Sequence, residues 1–460
     1  MKRINLFLFS VLCAITIQAQ EQGIVRYVRV GGTGKGTSWE DATGSIQRAV
    51  NAVAAFGRGE VRVAGGKYPE MVKIMGSDIC LIGSIDPATG EQSTQTNLSR
   101  IQIMNRPCGI YVAYSLRNIV VDGFAIVRGG ADKPFDYDSD ISMASGGISI
   151  HSAGTLVRNC SVIGYKTGEY GIDMDVPRVT LENCSVRGCN SGIKTYGECE
   201  LRQVVVSGND RYGISANNCT LTGCTIETNG TCGIWMENCR LYQCIIRNNY
   251  PRDRYADGGG VVITGGDRNI LHGCLIYNNT ATRGAGVLTN TKCYIESCVI
   301  ANNLSTSGYA GVDMQYNNAD LYIANSIIWN NRTQGRNTAV NMQDANLKAH
   351  GCAIEGGTLV PELDEINGVI DLSAKNIDPA KPCPRFKKVA GILGAVVNDK
   401  EKQKQVLQQD FHLTAGSACI GTGQLIPEKY TPYLEIDRSA LLDGTPSTPL
   451  NMGAYANVAE

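Results

Sequence analysis

The chain has 460 residues, 53 of them glycine, with 18% charged residues and a formal net charge of −1 at pH 7. Globular proteins average about 7% glycine and about 25% charged residues, so this chain is rich in glycine and poor in charge. A net charge near zero excludes the strongly basic character of nucleic-acid-binding domains and provides no polybasic patch for a membrane surface. The 43% of hydrophobic residues is enough to build a buried core.

The first 20 residues, MKRINLFLFSVLCAITIQAQ, predict a secretory signal peptide over residues 1–19. A basic start precedes a short apolar stretch, Leu6 to Ile17, and Ala19 ends a cleavage site. No later stretch reaches the ~18 uninterrupted apolar residues of a membrane-spanning helix. We therefore expect an exported mature chain without a transmembrane segment, in the periplasm, at the cell surface or in the medium.

The segment from Glu40 to Gly57 predicts an amphipathic helix. Apolar residues from Ile46 to Ala54 recur at helical spacing, and Gly57 is a good stop signal. We expect this helix to cover the open edge of the first repeat, as part of an N-terminal cap over residues 20–75.

An internal repeat follows. Similar phrases, such as NCSVRG, GCTIET and QCIIRN, each contain a cysteine at the same place. These cysteines are Cys160, Cys184, Cys224, Cys244, Cys274, Cys298 and Cys352, and Val204 and Ser326 fill the two gaps in the series. Neighbouring positions are 24, 20, 20, 20, 30, 24, 28 and 26 residues apart, which indicates one structural unit repeated along the chain.

Each repeat contains three short apolar pieces of β-strand character. In one 20-residue unit they are Cys219 to Thr222, Cys224 to Glu227, and Gly233 to Met236, separated by Gly and Asn. Three short parallel strands per turn predict an all-β fold, a right-handed parallel β-helix with an N-terminal capping helix. We place its coils at residues 76–356, and closing coils with a C-terminal cap at 357–460.

Stacked coils place equivalent residues above one another. An asparagine recurs five residues after the repeated position, and its amide is suited to bonding the next coil: Asn209, Asn229, Asn249, Asn279, Asn303 and Asn331. A second cysteine column lies five residues before the first: Cys199, Cys219, Cys239 and Cys293. We expect reduced, buried thiols in both columns, because in-register side chains suit disulfide dihedrals poorly. The better disulfide candidates lie outside them: Cys189, Cys232, Cys383 and Cys419.

Several segments resemble a known family. The chain opens with YVRVGGTGKGTSWEDAT, EVRVAGGKYPE and NIVVDGFAIVRGG, and later contains NNTATRGAGV, DFHLTAGSACIGTG and NMGAYA. These resemble secreted β-helix proteins of the pectate-lyase-like superfamily, related to the polymorphic outer-membrane-protein repeat of Bacteroidetes-like bacteria. The resemblance implies a fold and an exported location, since this fold carries lyases, hydrolases, tailspikes and adhesins. The NTD, DD, GHG and RIK series of polygalacturonases is not found.

The outer face of the first strand of each coil is one candidate active site. Alternation directs Cys219 and Leu221 inward, so the outward residues include Asp122, Arg158, Glu182, Arg202, Tyr242, His272 and Glu296. A polysaccharide lyase needs a positive charge at the substrate carboxylate, for which Arg158 or Arg202 would serve, and proton transfer by Tyr242 or His272. The alternative is a ladder of solvated ion pairs between coils.

Acidic residues form a second candidate site. Asp136, Asp138 and Asp140 alternate in an insertion, and Glu169, Asp173 and Asp175 follow about one coil later. Oxygen ligands in that number suit Ca²⁺, although the spacing is not that of an EF-hand. A solvated acidic loop is the alternative.

The third strand offers a candidate binding surface around Trp235. Alternation directs this side chain outward, with Val262 and Leu288 above it in the same column. An insertion after Asn248 would add nearby polar side chains: Arg252, Asp253, Arg254, Tyr255 and Asp257. Exposed aromatic side chains with such neighbours bind sugars or proteins, and a lone surface tryptophan or a self-association contact is the alternative.

Together these features favour an exported β-helix scaffold that binds polysaccharide or another cell-surface ligand. The first alternative is a polysaccharide lyase or glycoside hydrolase with its site on the outer first-strand face, with or without Ca²⁺. The second is a purely structural surface protein.

Overall fold

A computed structural model describes most of the chain after residue 22. The described residues are 23–93, 98–103, 107–128, 146–166, 169–252, 256–314, 320–334, 346–355, 366–367, 370–371, 384–415, 417–420, 422–423 and 452–454. They form two compact units, Met1–Ser185 and Val186–Glu460.

The first unit contains one helix among short strands. In chain order they are β1 (Ile24–Val28), α1 (Ile46–Phe56), β2 (Gly59–Ala64), β3 (Gly66–Tyr68), β4 (Val72–Ile74), β5 (Ile79–Ile85), β6 (Ser99–Ile103), β7 (Ile110–Val112), β8 (Ile119–Asp122), β9 (Phe124–Arg128), β10 (Gly146–Ile150), β11 (Leu156–Arg158), β12 (Ser161–Ile163), β13 (Tyr170–Met174) and β14 (Thr180–Glu182). At the boundary between the units lies β15 (Ser185–Arg187).

The second unit continues the same pattern. Its elements are β16 (Ser191–Tyr196), β17 (Glu200–Arg202), β18 (Val205–Ser207), β19 (Ile214–Asn217), β20 (Thr220–Thr222), β21 (Thr225–Glu227), β22 (Ile234–Glu237), β23 (Arg240–Tyr242), β24 (Ile245–Arg247), β25 (Val261–Gly265), β26 (Asn269–His272), β27 (Leu275–Tyr277), β28 (Thr280–Ala281), β29 (Val287–Thr289), β30 (Cys293–Glu296), β31 (Val299–Ala301), β32 (Leu304–Ser305), β33 (Val312–Met314), β34 (Asp320–Ala324), β35 (Ile327–Trp329), β36 (Arg332–Thr333), β37 (Asn346–His350), β38 (Ala353–Ile354), β39 (Ile366–Asn367), β40 (Ile370–Asp371), β41 (Phe386–Lys388), α2 (Lys400–Leu407) and β42 (Asp410–Leu413).

Strands of successive coils pair in parallel and form three long sheets, as the repeat predicts. In the second unit the first-strand sheet has the order β17-β20-β23-β26-β30-β34-β37-β39, the second-strand sheet β18-β21-β24-β27-β31-β35-β38-β40, and the third-strand sheet β16-β19-β22-β25-β29-β33. In the first unit the corresponding orders are β1-β2-β5-β8-β11-β14, β3-β6-β9-β12 and β4-β7-β10-β13. Residues 20 apart pair directly, for example Leu221 with Leu241 and Ile226 with Ile246. All four side chains are fully buried, so the core lies inside the coils, and the predicted inward direction of Leu221 and Cys219 is confirmed.

The predicted helix is present as α1, which begins at Ile46, six residues after the start of the predicted segment, and ends at the predicted stop signal, Gly57. The Ser45 hydroxyl accepts a hydrogen bond from the Arg48 N–H, and Gly57 ends the helix in the left-handed region at φ 104°. The Glu70 carboxylate accepts hydrogen bonds from the N–H groups of Ile46 and Gln47 at 2.8 and 3.1 Å. The partly buried Glu70 carboxylate therefore fixes the start of the helix to the coils.

The asparagine ladder is also present, with a bonding pattern that explains its spacing. The Asn249 side-chain oxygen accepts from the main-chain and the side-chain N–H groups of Asn229, both at 3.0 Å. Its amide nitrogen donates to Ile226 O at 3.1 Å and to the Asn279 side chain at 3.0 Å. The left-handed bend lies one residue earlier, at Asn248 with φ 56°. The ladder asparagine therefore satisfies the main chain of a neighbouring coil, while the residue before it makes the turn.

The cysteine columns are hydrogen-bonding columns as well as apolar ones. The Cys274 N–H donates to Cys298 Sγ at 3.4 Å, and the Cys298 N–H donates to Ser326 Oγ at 3.0 Å. In the second column the Cys239 N–H donates to the Asn269 side-chain oxygen at 3.3 Å. Sulfur, hydroxyl and amide oxygen thus serve one purpose, to accept a buried N–H of the preceding coil.

The cysteines of the described chain are free thiols. The two columns are reduced as expected, but the disulfide candidates outside them were wrong: Cys189, Cys232 and Cys419 are free and buried, and Cys383 lies outside the described residues. Burial raises the pKa of the Cys184 and Cys352 thiols of the first column to about 12.

The described C-terminal residues pack against the outer side of the second-strand sheet. The Phe411 ring packs against that of Tyr277 with centroids 4.8 Å apart and planes tilted by 56°, and Phe386 lies edge-on to Trp329 at 5.7 Å. The Asn278 side chain donates to Ile392 O at 2.7 Å. Where the C-terminal residues cover this sheet, the outward side chains of the sheet are apolar. Among the described residues, neither helix has the length and hydrophobicity to cross a bilayer.

Candidate functional site

On the first-strand face of the first unit, Arg158 is held by Asp122. Arg158 Nε donates to Asp122 Oδ2 at 2.7 Å, and the Asn159 and Gln92 amides donate to Oδ1 at 2.8 and 3.1 Å. The hydrogen bond to Asp122 raises the pKa of Arg158. Asp122 is only 2% exposed, whereas the Arg158 side chain is 44% exposed, so this ion pair between coils is buried on the carboxylate side and open to solvent on the arginine side.

In the second unit, the predicted catalytic residues are only partly brought together. Register places Arg202, Thr222, Tyr242 and His272 on successive coils. Two coil spacings of ~4.8 Å separate Arg202 from Tyr242, and Arg202 forms its ion pair within its own strand, with Glu200.

Tyr242 and His272 are in contact, with ring centroids 6.2 Å apart. His272 Nδ1 lies 3.3 Å from Glu296 Oε2, which gives the imidazole a carboxylate partner one coil away. The expectation of an accessible Tyr242 was wrong, because this side chain is only 8% exposed and burial raises its pKa. Outward direction alone therefore does not make a side chain of this sheet accessible.

Sequence reasoning missed an aromatic pair on the same sheet. Tyr294 and Tyr322 stack across neighbouring strands, with centroids 4.6 Å apart and planes 12° from parallel. Lys292 Nζ lies 5.5 and 5.6 Å from their centroids, and Lys348 Nζ lies 5.1 Å from that of Tyr322. The signal was present in the sequence, because both tyrosines lie at the same outward position of the repeat.

The third-strand sheet of the second unit presents a mixed aromatic and polar surface, which we call the tryptophan surface. Register forms two outward columns, Lys194–Ser215–Trp235 and Tyr196–Asn217–Glu237. Trp235 is 38% exposed and Tyr196 is 57% exposed. The Asn217 amide donates to the Glu237 carboxylate at 3.2 Å, so hydrogen-bonding groups lie beside the exposed rings.

The turn before these strands supports Trp235 from one side. The Tyr212 ring lies edge-on to the indole at 5.8 Å, and the Arg211 guanidinium lies over Tyr212 at 5.5 Å. Arg252, predicted to lie near Trp235, forms an ion pair of 2.6 Å with Asp210 in the same stack of turns. Contact with Tyr212 limits the motion of the exposed indole.

The predicted apolar continuation of this column is confirmed, but it is not exposed. Val262 and Leu288 share the column with Trp235, but both are buried. The main chain at Gly258 covers Val262 so closely that a Cβ there would lie 2.1 Å from a Val262 methyl group. Of the remaining predicted contacts, Asp257 is exposed, while Arg254 and Tyr255 lie outside the described residues.

A histidine that the sequence left without a role lies on the third-strand face of the first unit. His151 Nδ1 is 2.9 Å from both carboxylate oxygens of Asp175, one coil away. The Tyr114 and Tyr111 rings lie 4.6 and 5.0 Å from the imidazole. We call these residues, with Asp173 beside them in the next coil, the histidine cluster. The spacing of 24 residues between His151 and Asp175 equals one repeat step, which is the signal that could have revealed the pair.

The predicted calcium site stays a prediction. Asp136, Asp138 and Asp140 lie outside the described residues. Asp173 is buried and Asp175 is bonded to His151. Among the residues that the structure describes, no three His, Cys, Asp or Glu side chains gather as metal ligands would.

Comparisons with known proteins agree with this fold. Residues 137–249 and 197–354 match the family model described as "Right handed beta helix region". No curated protein matches the chain significantly.

Solved structures with similar folds have low sequence identity to this chain. Pectate lyase Pel9A is 14% identical, with 95% of this chain and 98% of that chain covered and a TM-score of 0.48. The tailspike protein gp49 of Acinetobacter baumannii bacteriophage Fri1, a capsular polysaccharide depolymerase, is 11% identical, with coverages of 82% and 66% and a TM-score of 0.36. DFA-IIIase from Arthrobacter chlorophenolicus A6 is 13% identical, with coverages of 85% and 93% and a TM-score of 0.36. The likenesses concern the fold alone, and the described coils are those of a right-handed parallel β-helix.

Proposed function

We propose that the protein is an exported β-helix scaffold that binds polysaccharide through the tryptophan surface. The observation that carries this proposal is the exposed Trp235 indole, held edge-on by Tyr212 and placed beside a row of polar side chains. Aromatic rings supply apolar contact for the faces of sugar rings, and neighbouring amides and carboxylates bind their hydroxyls.

The dimensions of the surface suit an extended chain. Tyr196 and Trp235 lie two coils and two residues apart, which places their Cα atoms about 12 Å from each other. Asn217 and Ser215 lie on the coil between them. A linear glycan crossing the coils diagonally would therefore meet two aromatic rings with hydrogen-bonding groups between them.

Charge on this surface is nearly balanced. Three cations, Lys194, Arg211 and Arg252, face two carboxylates, Asp210 and Glu237, and Arg252 is paired with Asp210. One excess positive charge is far from the basic cluster that recognises polyanions, so the surface favours neutral sugars. Tests should therefore include neutral polysaccharides first.

Affinity electrophoresis in gels containing neutral or uronic-acid polysaccharides tests this proposal. Trp235→Ala should abolish most of the retardation that a binding polysaccharide causes in the parent protein. Phe56→Ala is the matched control, because Phe56 is another exposed aromatic side chain, at the end of α1. Equal retardation of Trp235→Ala and the parent protein would show that Trp235 does not contribute to polysaccharide binding and would refute the role of the tryptophan surface. Absence of retardation across the panel would favour a purely structural surface protein.

A second candidate function, polysaccharide cleavage, is favoured by the Glu296–His272 pair. A carboxylate on Nδ1 orients an imidazole so that the other nitrogen accepts protons, as a lyase or hydrolase base must. His272→Ala should then abolish unsaturated products or new reducing ends, whereas Arg202→Ala should have little effect because Arg202 is paired elsewhere. Turnover that survives His272→Ala would contradict this assignment.

We also propose the organisation expected from the sequence, with a signal peptide over 1–19, a cap over 20–75, coils over 76–356 and closing coils over 357–460. Helix α1 lies within the second range, and β5 to β38 lie within the third, which supports it. N-terminal sequencing of the exported protein should find Gln20 first. Membership of the polymorphic repeat family of Bacteroidetes-like bacteria stays a prediction.

A further inference from the structure

The histidine cluster differs from an ordinary core because it is buried, polar and on the outer side of its sheet. His151 and Asp175 directly follow β10 and β13, and Ser149 and Asp173 lie two residues earlier on the same side. His151 is 2% exposed. Groups that the coil interior does not require are therefore gathered and shielded from water, as in binding sites.

The imidazole has one satisfied nitrogen and one without a partner. Both Asp175 oxygens lie 2.9 Å from Nδ1, while Nε2 is buried and has no hydrogen-bond partner among the described residues. A carboxylate on Nδ1 favours the tautomer with hydrogen on Nδ1, which leaves Nε2 with a lone pair. A buried acceptor without a donor costs free energy, so this atom is better explained by a donor that arrives from outside.

Tyr114 is the single exposed group that stacks on this imidazole in the described structure. It is 48% exposed, and its ring lies 30° from parallel to that of His151. The turn that carries it is anchored from below, because the Leu116 N–H donates to Ser152 Oγ at 2.7 Å. Rotation of one surface side chain on a fixed turn would therefore open a path to the imidazole.

Charge around the cluster selects the ligand. Asp173 and Asp175 add negative charge, and burial raises the pKa of Tyr111 and Tyr114, so both phenols remain neutral hydrogen-bond donors. Lys73 precedes Tyr111 in the same column, on the far side of the imidazole from Asp173. Two carboxylates close to the imidazole disfavour uronates and suit uncharged hydroxyl groups.

We propose that the histidine cluster is a second glycan site, in which His151 Nε2 accepts a hydrogen bond from a hydroxyl group of a neutral sugar. Asp175 fixes the tautomer, Tyr111 forms a wall, and Tyr114 opens the entrance. This inference rests on the proposed polysaccharide-binding function and adds a site in the other unit of the chain.

Nitrogen NMR of protein labelled with ¹⁵N-histidine tests the proposal on the intact chain. His151 should show an unprotonated Nε2, and addition of neutral gluco-, xylo- or manno-oligosaccharides should shift that resonance. His151→Phe assigns the signal, keeps an aromatic ring between the tyrosines, and should lower the affinity for the active oligosaccharide about tenfold, the loss of one hydrogen bond. If this variant does not fold, Tyr114→Ala supplies a second measurement, because opening the entrance should accelerate acylation of His151 by diethyl pyrocarbonate.

Two results would overturn the inference. One is a protonated Nε2 in the free protein, and the other is an unmoved resonance with every oligosaccharide although Trp235-dependent retardation is present. The Trp235→Ala variant separates the two sites, because it should lose retardation and keep the His151 response. Absence of both the gel retardation and the His151 shift in the parent protein would refute the proposed function itself.

Discussion

Removing one rung of the asparagine ladder should strongly destabilise the second unit. Asn249 is fully buried and makes four hydrogen bonds to Asn229, Ile226 and Asn279. At about 1 kcal/mol net for each bond, and with buried groups of the neighbouring coils left unsatisfied, Asn249→Ala should cost about 4–6 kcal/mol. That is a large part of the 5–15 kcal/mol by which a typical domain is stable.

Urea unfolding followed by far-ultraviolet circular dichroism measures this loss. With m values of about 1–3 kcal/mol/M, the midpoint of the affected transition should fall by more than about 1 M. Asn398→Ala is the control, because Asn398 is exposed, and its change should stay within about 0.5 kcal/mol. A loss below about 1 kcal/mol for Asn249→Ala would refute the reasoning, since water or the main chain would then replace the amide at little cost.

Three further results are expected. Cys80 is the one partly exposed thiol of the described residues, and burial raises its pKa to about 11, so about one molecule in a thousand carries its thiolate at pH 8. The rate of its alkylation by iodoacetamide should be low and should rise about tenfold per pH unit. Mass spectrometry should find the other described thiols modified only after unfolding. A fast reaction at a column cysteine would contradict the described packing. Phe411→Ala removes a buried ring packed on Tyr277 and should lower the free energy of unfolding by about 3–5 kcal/mol. Limited proteolysis should then cut residues 384–423 before the coils. Cleavage within the coils at the same rate would argue against separate detachment of this C-terminal segment. Glu70→Ala removes the acceptor for two helix N–H groups and the Ser45 hydroxyl and should lower the free energy of unfolding by about 2 kcal/mol. Calorimetry should show a thermal midpoint lower by about 5 °C. An unchanged midpoint would mean that water caps the helix equally well.

The repeat allowed much of the fold to be predicted, because neighbouring coils impose the same environment on equivalent residues. The strands around Cys219, Cys224 and Gly233, the helix before them and the asparagine ladder all follow from local periodicity. Each of these features depends only on residues one coil away. The regular spacing of the repeat therefore shows, in the sequence itself, which residues will be neighbours.

Features that depend on longer or irregular contacts could not be predicted. Asn278 bonds to Ile392, more than a hundred residues later, in a segment without the repeat. Val262 is covered because glycine lets the main chain at residue 258 approach it, which alternation does not reveal. Alternation gives the direction of Tyr242 but not its burial.

In the candidate sites, too, contacts that follow the repeat could be predicted and irregular contacts could not. Trp235 was found because a single exposed indole is visible from alternation, whereas its support by Tyr212 depends on a turn. Asp175 was predicted only as a calcium ligand and His151 was given no role, and only register joins them. Pairing residues by repeat phase, not by distance along the chain, would have revealed that contact.

The acceptor columns have a consequence for how this chain changes in evolution. Cys and Ser occupy equivalent places in the first column, and Cys and Asn do so in the second, because each accepts the N–H of the preceding coil. Substitutions among these small acceptors therefore need not disturb the backbone. Coils of 20 residues, such as 219–238, form their ladder bonds only with adjacent coils. Duplication or deletion of one whole coil would restore every such bond with the next coil along. Recombination in units of one coil would therefore lengthen or shorten a binding surface by about 4.8 Å at a time without a new fold.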